Sequence, residues 1–527
     1  MRRVFWLVAL CAFIGCPAAV LAQDTGGTAP IRSAADRLRN TTAGEIEANW
    51  ARAPVVETEV TTSHAVQAHG RTLRYKATAG TLTIRDNDGM PTASLFYTAY
   101  TLDGQAVGSR PVTYLYNGGP GSPTVWLHMG AFGPMRVQTD DPTVVRPAPF
   151  AFAANDMTLL DQTDLVFVDM VGAGYSRPLG TTAGSAFWGV DQDADAFTRA
   201  ILRYTTKFNR WSSPKYILGE SYGTLRTGAV AFQLEERGMS LNGVILLSSI
   251  MNYGVRQPGY PQNYISLLPT YAAAAWYHNK IANPPADIET QVARARAFAL
   301  GPYASALAKG SMISASERAD IVRQMSELIG IAPTFIDNAN MRIDLSAFRK
   351  ELLRDRRQTI GRLDMRYLGI DADAAGSSPE EDPSSSAITG AYVSSFNDYI
   401  ANSLNYRTDL DYRMSARGPG FNWDWGHRPP VGGPQTTPNT AIDLATTMRR
   451  NPYLKVLALN GYYDSATPFL STEFDMAQMM LEPQLQRNLE FTYYEGGHMM
   501  YLSHDALVAL HGDLARFYAE TVNGGIR

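Results

Sequence analysis

The sequence predicts an α/β protein, a largely parallel sheet with helices on both faces, interrupted by a long and mostly helical insertion. Two observations carry this. Short apolar runs of strand length alternate with helical stretches between about residues 111 and 247, and the alternation resumes at Lys455. Strands spaced by helices of that length build a parallel sheet covered on both sides. Between residues 251 and 450 the alternation stops and helical periodicity takes over. The division expected is a leader over residues 1–22, a core over 23–250 and 451–527, and a helical cap over 251–450.

The leader comes first in the chain. Arg2 and Arg3 precede an apolar stretch from Val4 to Ile14, and small residues end at Val20-Leu21-Ala22. Charge, apolar segment and small-residue cleavage site, in that order, read as a secretory signal peptide, hence export to the periplasm or the medium. The apolar part is too short to span a bilayer, so no stable membrane insertion is expected once it is removed. A minor alternative is lipid anchoring at Cys16, because Phe13-Ile14-Gly15-Cys16 loosely resembles a lipobox. Cys11 and Cys16 are the two cysteines of the chain. Cleavage after Ala22 leaves no thiol, which excludes disulfides, cysteine-protease chemistry and Cys-ligated zinc. The net charge of −4 shows no basic stripe for nucleic acid.

The core elements follow in order. Residues 55–116 read as strand, with antiparallel hairpins leading into the run Pro111 to Tyr116: Thr81 to Ile84 alternates, Asp86-Asn87-Asp88-Gly89 turns, and Ala93 to Leu102 alternates again. Leu165 to Val168, Tyr216 to Leu218 and Val244 to Leu247 read as strands, with helices over Val190 to Phe208 and Thr224 to Arg237. In the insertion, Asp287 to Ala299 and Ser314 to Ile329 are helical. The Ser/Pro/acid tract from Asp371 to Ser386 reads as an exposed loop unable to bury enough to order itself. Met414 to Thr437 is rich in Gly and Pro, with Trp423 and Trp425 expected as packing anchors. Strands return at Lys455 to Leu459 and Leu489 to Tyr494, and a helix from His504 to Thr521 ends the core.

The chemistry begins at Gly219-Glu220-Ser221-Tyr222-Gly223, a G-x-S-x-G match between a strand and a helix. With 44 glycines in 527 residues, about 0.25 such matches arise by chance, so the flanking strand and helix give the motif its weight. A serine hydroxyl needs a base, and the base needs an orienting carboxylate. In the α/β-hydrolase fold these follow the serine in the order acid, histidine, each after a strand. Of the histidines beyond Ser221, which are His278, His427, His498, His504 and His511, only His498 comes straight after a strand, in Tyr494-Glu495-Gly496-Gly497-His498. His504 and His511 lie seven apart on the last helix, where solvated or core-satisfied roles are expected. Asp464 follows its own strand 34 residues before His498 and is preferred to Asp475, which falls inside a helix. Asn117-Gly118-Gly119-Pro120-Gly121 ends another strand and reads as an oxyanion loop, with the N–H groups of Gly119 and Tyr222 as donors. No cofactor or metal is called for.

Taken together, Asn117 to Gly121, Phe132-Gly133-Pro134, Val171 to Ser176, Gly219 to Gly223, Asn460 to Asp464 and Gly496 to Met499 resemble the serine carboxypeptidase family, in the branch found in bacteria. The resemblance implies removal of single residues from peptide C-termini, with an acidic optimum. It implies that Ser221 attacks, His498 shuttles the proton and Asp464 orients the imidazole. It also implies that Asn117, Gly118 and Glu220 hold the substrate's terminal carboxylate, Glu220 doing so when protonated. The chain departs from the family pattern at Ala131, where a second Glu is usual, and at Ser122, where a cysteine is usual; His128 offers a cation nearby, a structural role being the blander reading. An esterase or acyltransferase using the same triad is the alternative, and a non-catalytic exported binding protein is a third. The insertion, lying between nucleophile and acid, is expected to form a lid.

Overall fold

The computed structural model describes residues 55–139, 147–257, 259–418 and 420–522. The expected leader, with its cleavage site and Cys16, lies outside them.

The main sheet comprises β1 (Glu59–Ala68), β2 (Arg71–Arg85), β3 (Pro91–Leu102), β4 (Val112–Tyr116), β5 (Asp164–Val168), β6 (Lys215–Glu220), β7 (Gly243–Leu247), β8 (Lys455–Gly461) and β9 (Leu489–Tyr494). Their order is β1-β2-β3-β5-β4-β6-β7-β8-β9, with the short Arg177–Pro178 segment paired to β3. The first three strands form antiparallel pairs, as the hairpin pattern required, and β3 meets β5 antiparallel. From β5 onward every pairing is parallel. This is the α/β-hydrolase arrangement.

Side-chain alternation decides the two faces. On one, Tyr114, Val166, Ile217, Val244 and Val456 pack under α1 (Val190–Lys207), α2 (Tyr222–Glu236) and α7 (Ala441–Arg450). On the other, Leu115, Phe167, Leu218, Ile245 and Leu457 pack under α9 (His504–Thr521) and α6 (Pro383–Asp398). Both faces of the central strands are therefore dry, which is why they read as continuous apolar runs.

A third apolar cluster lies within the insertion. It joins α3 (Pro261–Tyr277), α4 (Ile288–Phe298) and α5 (Ala315–Ile329) to Tyr462, Tyr463, Phe469 and Leu470. These four flank Asp464, so the inserted helices rest on the acid's own loop and on α8 (Phe469–Ala477). The tract from Asp371 to Ser386 differs from expectation because distant cations hold it. Lys350 pairs with buried Asp371 and reaches the Asp373 carbonyl at 2.5 Å. Arg354 bonds the carbonyls of Ala374 at 2.6 Å and Gly376 at 3.0 Å, and α6 starts inside the tract.

Candidate active site

The sheet register aligns the C-terminal ends of β6, β7 and β8: Glu220 pairs with Leu247 and Leu247 with Leu459. Ser221 follows Glu220 with φ 61° and ψ −131°, a strained conformation at the start of α2. Its N–H donates to the Leu247 carbonyl at 3.0 Å, which fixes the turn. The Asn117–Gly121 loop packs directly onto this elbow. A Cβ added at Gly118 would run into the Tyr222 and Gly223 nitrogens, so only glycine permits the approach. Arg226 secures the loop from α2, donating to the Asn117 carbonyl at 2.7 Å while paired with buried Asp193 at 2.7 Å.

Asp464 is fully buried after β8. Its Oδ1 accepts from the N–H groups of Ala466 at 2.8 Å and Thr467 at 2.9 Å. Its Oδ2 accepts from Thr467 Oγ1 at 2.5 Å and faces His498 Nδ1 at 2.8 Å. The loop after β9 holds His498 by its backbone as well. Its N–H donates to Leu363 at 2.6 Å and its carbonyl accepts from Ser248 Oγ at 2.6 Å. A Cβ at Gly497 would collide with Asp364 and the Leu363 carbonyl, which explains the second glycine before the histidine. Burial alone would push the His498 imidazole down; the Asp464 carboxylate and nearby Glu220 outweigh it and hold the group above its ordinary value. The structure thus brings Asp464 and His498 into contact. It carries them to the elbow through Ser248, whose neighbour Leu247 bonds Ser221. No hydrogen bond joins the Ser221 hydroxyl to the imidazole in this conformation, and such bonds often close only around a substrate.

Glu220 is buried beside the serine and accepts from Tyr501 Oη at 2.9 Å. Burial pushes its carboxyl up to about 7, against the pull of His498, Tyr501 and Asn117. The Asn117 side chain bonds Glu220, and its Oδ1 accepts from Leu127 N at 3.2 Å. Tyr501, Thr467 and Ser248 are members of the site that sequence reasoning missed. Only Tyr501 left a signal, three residues after His498. Ala131 is buried and offers its carbonyl to Asn155 at 2.7 Å, with no carboxyl in its place. His128 supplies no cation either: burial drives its imidazole down to about 3, and it sits against Phe167 at 4.5 Å. Asp475 lies in α8 and accepts from the N–H groups of Met251 and Asn252 at 3.2 Å, away from His498. Trp423 and Trp425 pack edge-to-face against the ring of Tyr222, at 5.3 and 6.2 Å.

Residues 69–282 match the family model for serine carboxypeptidases. No curated relative matches the chain in sequence. Among solved structures, Kex1(delta)p, a prohormone-processing carboxypeptidase from Saccharomyces cerevisiae, is 13% identical, with 85% of this chain and 91% of that one covered and a TM-score of 0.49. A proline iminopeptidase from Mycobacterium smegmatis is 12% identical over 85% and 100% of the two chains, TM-score 0.36. A thermophilic esterase from Thermogutta terrifontis is 13% identical over 84% and 99%, TM-score 0.33. The family match takes in the Asn117 loop and the Ser221 elbow and ends before Asp464 and His498. On that match the chain is an enzyme, a hydrolase of the serine carboxypeptidase type.

Proposed function

We propose that the protein removes C-terminal residues from peptides through an acyl-enzyme on Ser221. His498 takes the serine proton and returns it to the leaving amine, Asp464 holds the imidazole by Nδ1, and the N–H groups of Gly119 and Tyr222 receive the oxyanion. Asn117, Gly118 and Glu220 hold the substrate's carboxylate.

The observation that carries the carboxypeptidase reading is Glu220, a buried carboxyl beside the nucleophile whose pKa of about 7 keeps it protonated in acid. A neutral carboxyl donates a hydrogen bond to a carboxylate; an ionised one repels it. Peptides with free and with amidated C-termini test this. Preference for the free acid below pH 7 is expected, and equal rates on both would remove the carboxylate pocket. Turnover of esters without peptide cleavage would favour the esterase or acyltransferase reading, which the absence of a carboxyl at Ala131 keeps open. Labelling by a fluorophosphonate that is lost in Ser221→Ala separates either enzyme from a binding protein.

Two further parts of the reading rest on the chain's organisation. Export through the residue 1–22 leader is tested by the N-terminus of the protein recovered outside the cytoplasm, expected at Gln23. No described helix is long and apolar enough to cross a membrane. A lid built from α3, α4 and α5 is supported by their packing on the loop of Asp464.

A further inference from the structure

We propose a divalent transition-metal site, of a kind suited to Zn(II), formed by His69, Asp161 and His511 at the opposite end of the sheet from Ser221. The three come from remote parts of the chain. His69 is in the β1–β2 turn, Asp161 lies just before β5, and His511 is in the middle of α9. Asp161 precedes the N-terminal end of a parallel strand, whereas Ser221 follows a C-terminal end, so the cluster belongs to neither the triad nor the Glu220 pocket.

The geometry is that of ligands converging on one point. The donor atoms of all three lie within 4.8 Å of one another. His511 Nε2 stands 3.1 Å from Asp161 Oδ1, and His69 Nε2 stands 3.7 Å from Asp161 Oδ2. Tetrahedral Zn(II) with bonds near 2.0–2.1 Å separates its ligand atoms by about 3.3 Å, between those two values. The imidazoles stack at 3.9 Å and 25°, closer than the roughly 5 Å between ring centres of two histidines on one tetrahedral ion, so binding would splay the rings. His69 Nε2 is shut off from solvent and has no hydrogen-bond partner. An unsatisfied buried ring nitrogen facing a carboxylate and a second imidazole is the position a metal would fill.

Supporting bonds orient the ligands as metal sites require. His69 bonds the backbone of Thr158, and Gln162 Nε2 donates to Asp161 Oδ2 at 2.7 Å. Three protein ligands leave a fourth position for water. Remote from the reaction, the metal would act as a staple, tying the edge hairpin β1–β2 to the last helix in a chain with no cysteine beyond Cys16. Bringing such distant segments together is what a disulfide does elsewhere.

The test uses the full chain, stripped with a chelator and titrated with Zn(II), and with Co(II) for its visible spectrum. One tightly held Zn(II) per chain, tetrahedral Co(II) absorption and a rise in Tm of a few degrees are expected, with fluorophosphonate labelling of Ser221 unchanged. His511→Ala and His69→Asn should each weaken uptake at least tenfold. Asn suits position 69 because it tolerates the positive φ of 50° there, so this variant removes the imidazole without straining the turn. His504→Ala, on the exposed face of the same helix, should bind like the parent. Absence of stoichiometric Zn(II), or uptake undiminished in His69→Asn, overturns the proposal and leaves a His–Asp–His ion-pair cluster.

Discussion

Ser221 occupies backbone that a non-glycine residue adopts only under constraint, at a cost of about 1–3 kcal/mol. The Leu247 carbonyl and the close-packed Asn117–Gly121 loop supply that constraint. Asp464 has both oxygens engaged by Thr467, Ala466 and His498, so it is fixed before substrate arrives. Replacing it by Asn leaves this cage largely intact but offers the imidazole the wrong partner. Asp464→Asn should lower kcat by about 10⁴, against about 10⁶ for Ser221→Ala, both read from steady-state rates on one peptide. Glu220 gives a different signature. Its neutral form is lost above pH 7, so kcat/KM on free-acid peptides should fall about tenfold per pH unit there. Glu220→Gln, neutral at every pH, should flatten that limb; a limb that persists in the variant assigns it to another group. Ser221, Asp464 and His498 stood out in the chain as candidates because each follows a strand in a fixed order. Tyr501, Thr467 and Ser248 did not, because their roles exist only once four separate loops meet.

One short segment of the insertion reaches the loops of Asp464 and His498. The Leu363 carbonyl accepts from His498 N at 2.6 Å, Ser465 Oγ donates to the Arg362 carbonyl at 2.7 Å, and Met365 N donates to the Tyr463 carbonyl at 3.1 Å. Buried Arg366 pairs with Asp364 at 2.6 Å and donates to the Glu495 carbonyl at 3.0 Å. One guanidinium thus clamps this segment to the loop that ends in His498. Arg366→Ala strands Asp364 and frees that loop, so about 3–5 kcal/mol of stability should go. If Arg366 positions the histidine, kcat on a small ester should also drop by about 10- to 100-fold with KM nearly unchanged. A fall in stability with kcat intact would confine Arg366 to packing. At this scale the sequence was readable wherever a helix or strand satisfied itself locally. The helices at Val190, Ser314 and His504 and the strand at Leu489 lie within two residues of where periodicity puts them. It was unreadable at Asp371 to Ser386, where order comes from Lys350 and Arg354, contributed by another segment, and no local pattern records that.

At the scale of the whole molecule, several buried acids hold their protons well above the ordinary carboxyl range. Burial raises Asp169 to about 6 and both Glu220 and Asp475 to about 7. The folded chain therefore holds protons that the unfolded chain releases above about pH 4. Stability from these groups declines as pH rises from about 4 and is fully lost above 7. His427 adds to the trend. Burial opposes its charge, but Asp191 at 2.6 Å and Asp443 at 2.9 Å outweigh it and raise the imidazole to about 9. Its contribution is complete below the ordinary histidine value and lost as pH climbs through 9. Working against acid are His128, held neutral down to about 3, and the Glu57 carboxylate, held below its usual range despite burial by Arg203, Lys207 and the Thr83 N–H. These lose stability as pH falls. Above about pH 4 the three raised carboxyls outnumber His128, so Tm should peak near pH 4 and fall on the order of 5 °C by pH 9. Differential scanning calorimetry across that range decides it. Asp475→Asn should flatten the decline between pH 5 and 7, because a neutral amide has no proton to lose. A Tm that climbs from pH 6 to 9 would mean these carboxyls ionise within the folded chain, and Glu220 could then no longer donate to a substrate carboxylate in mild acid.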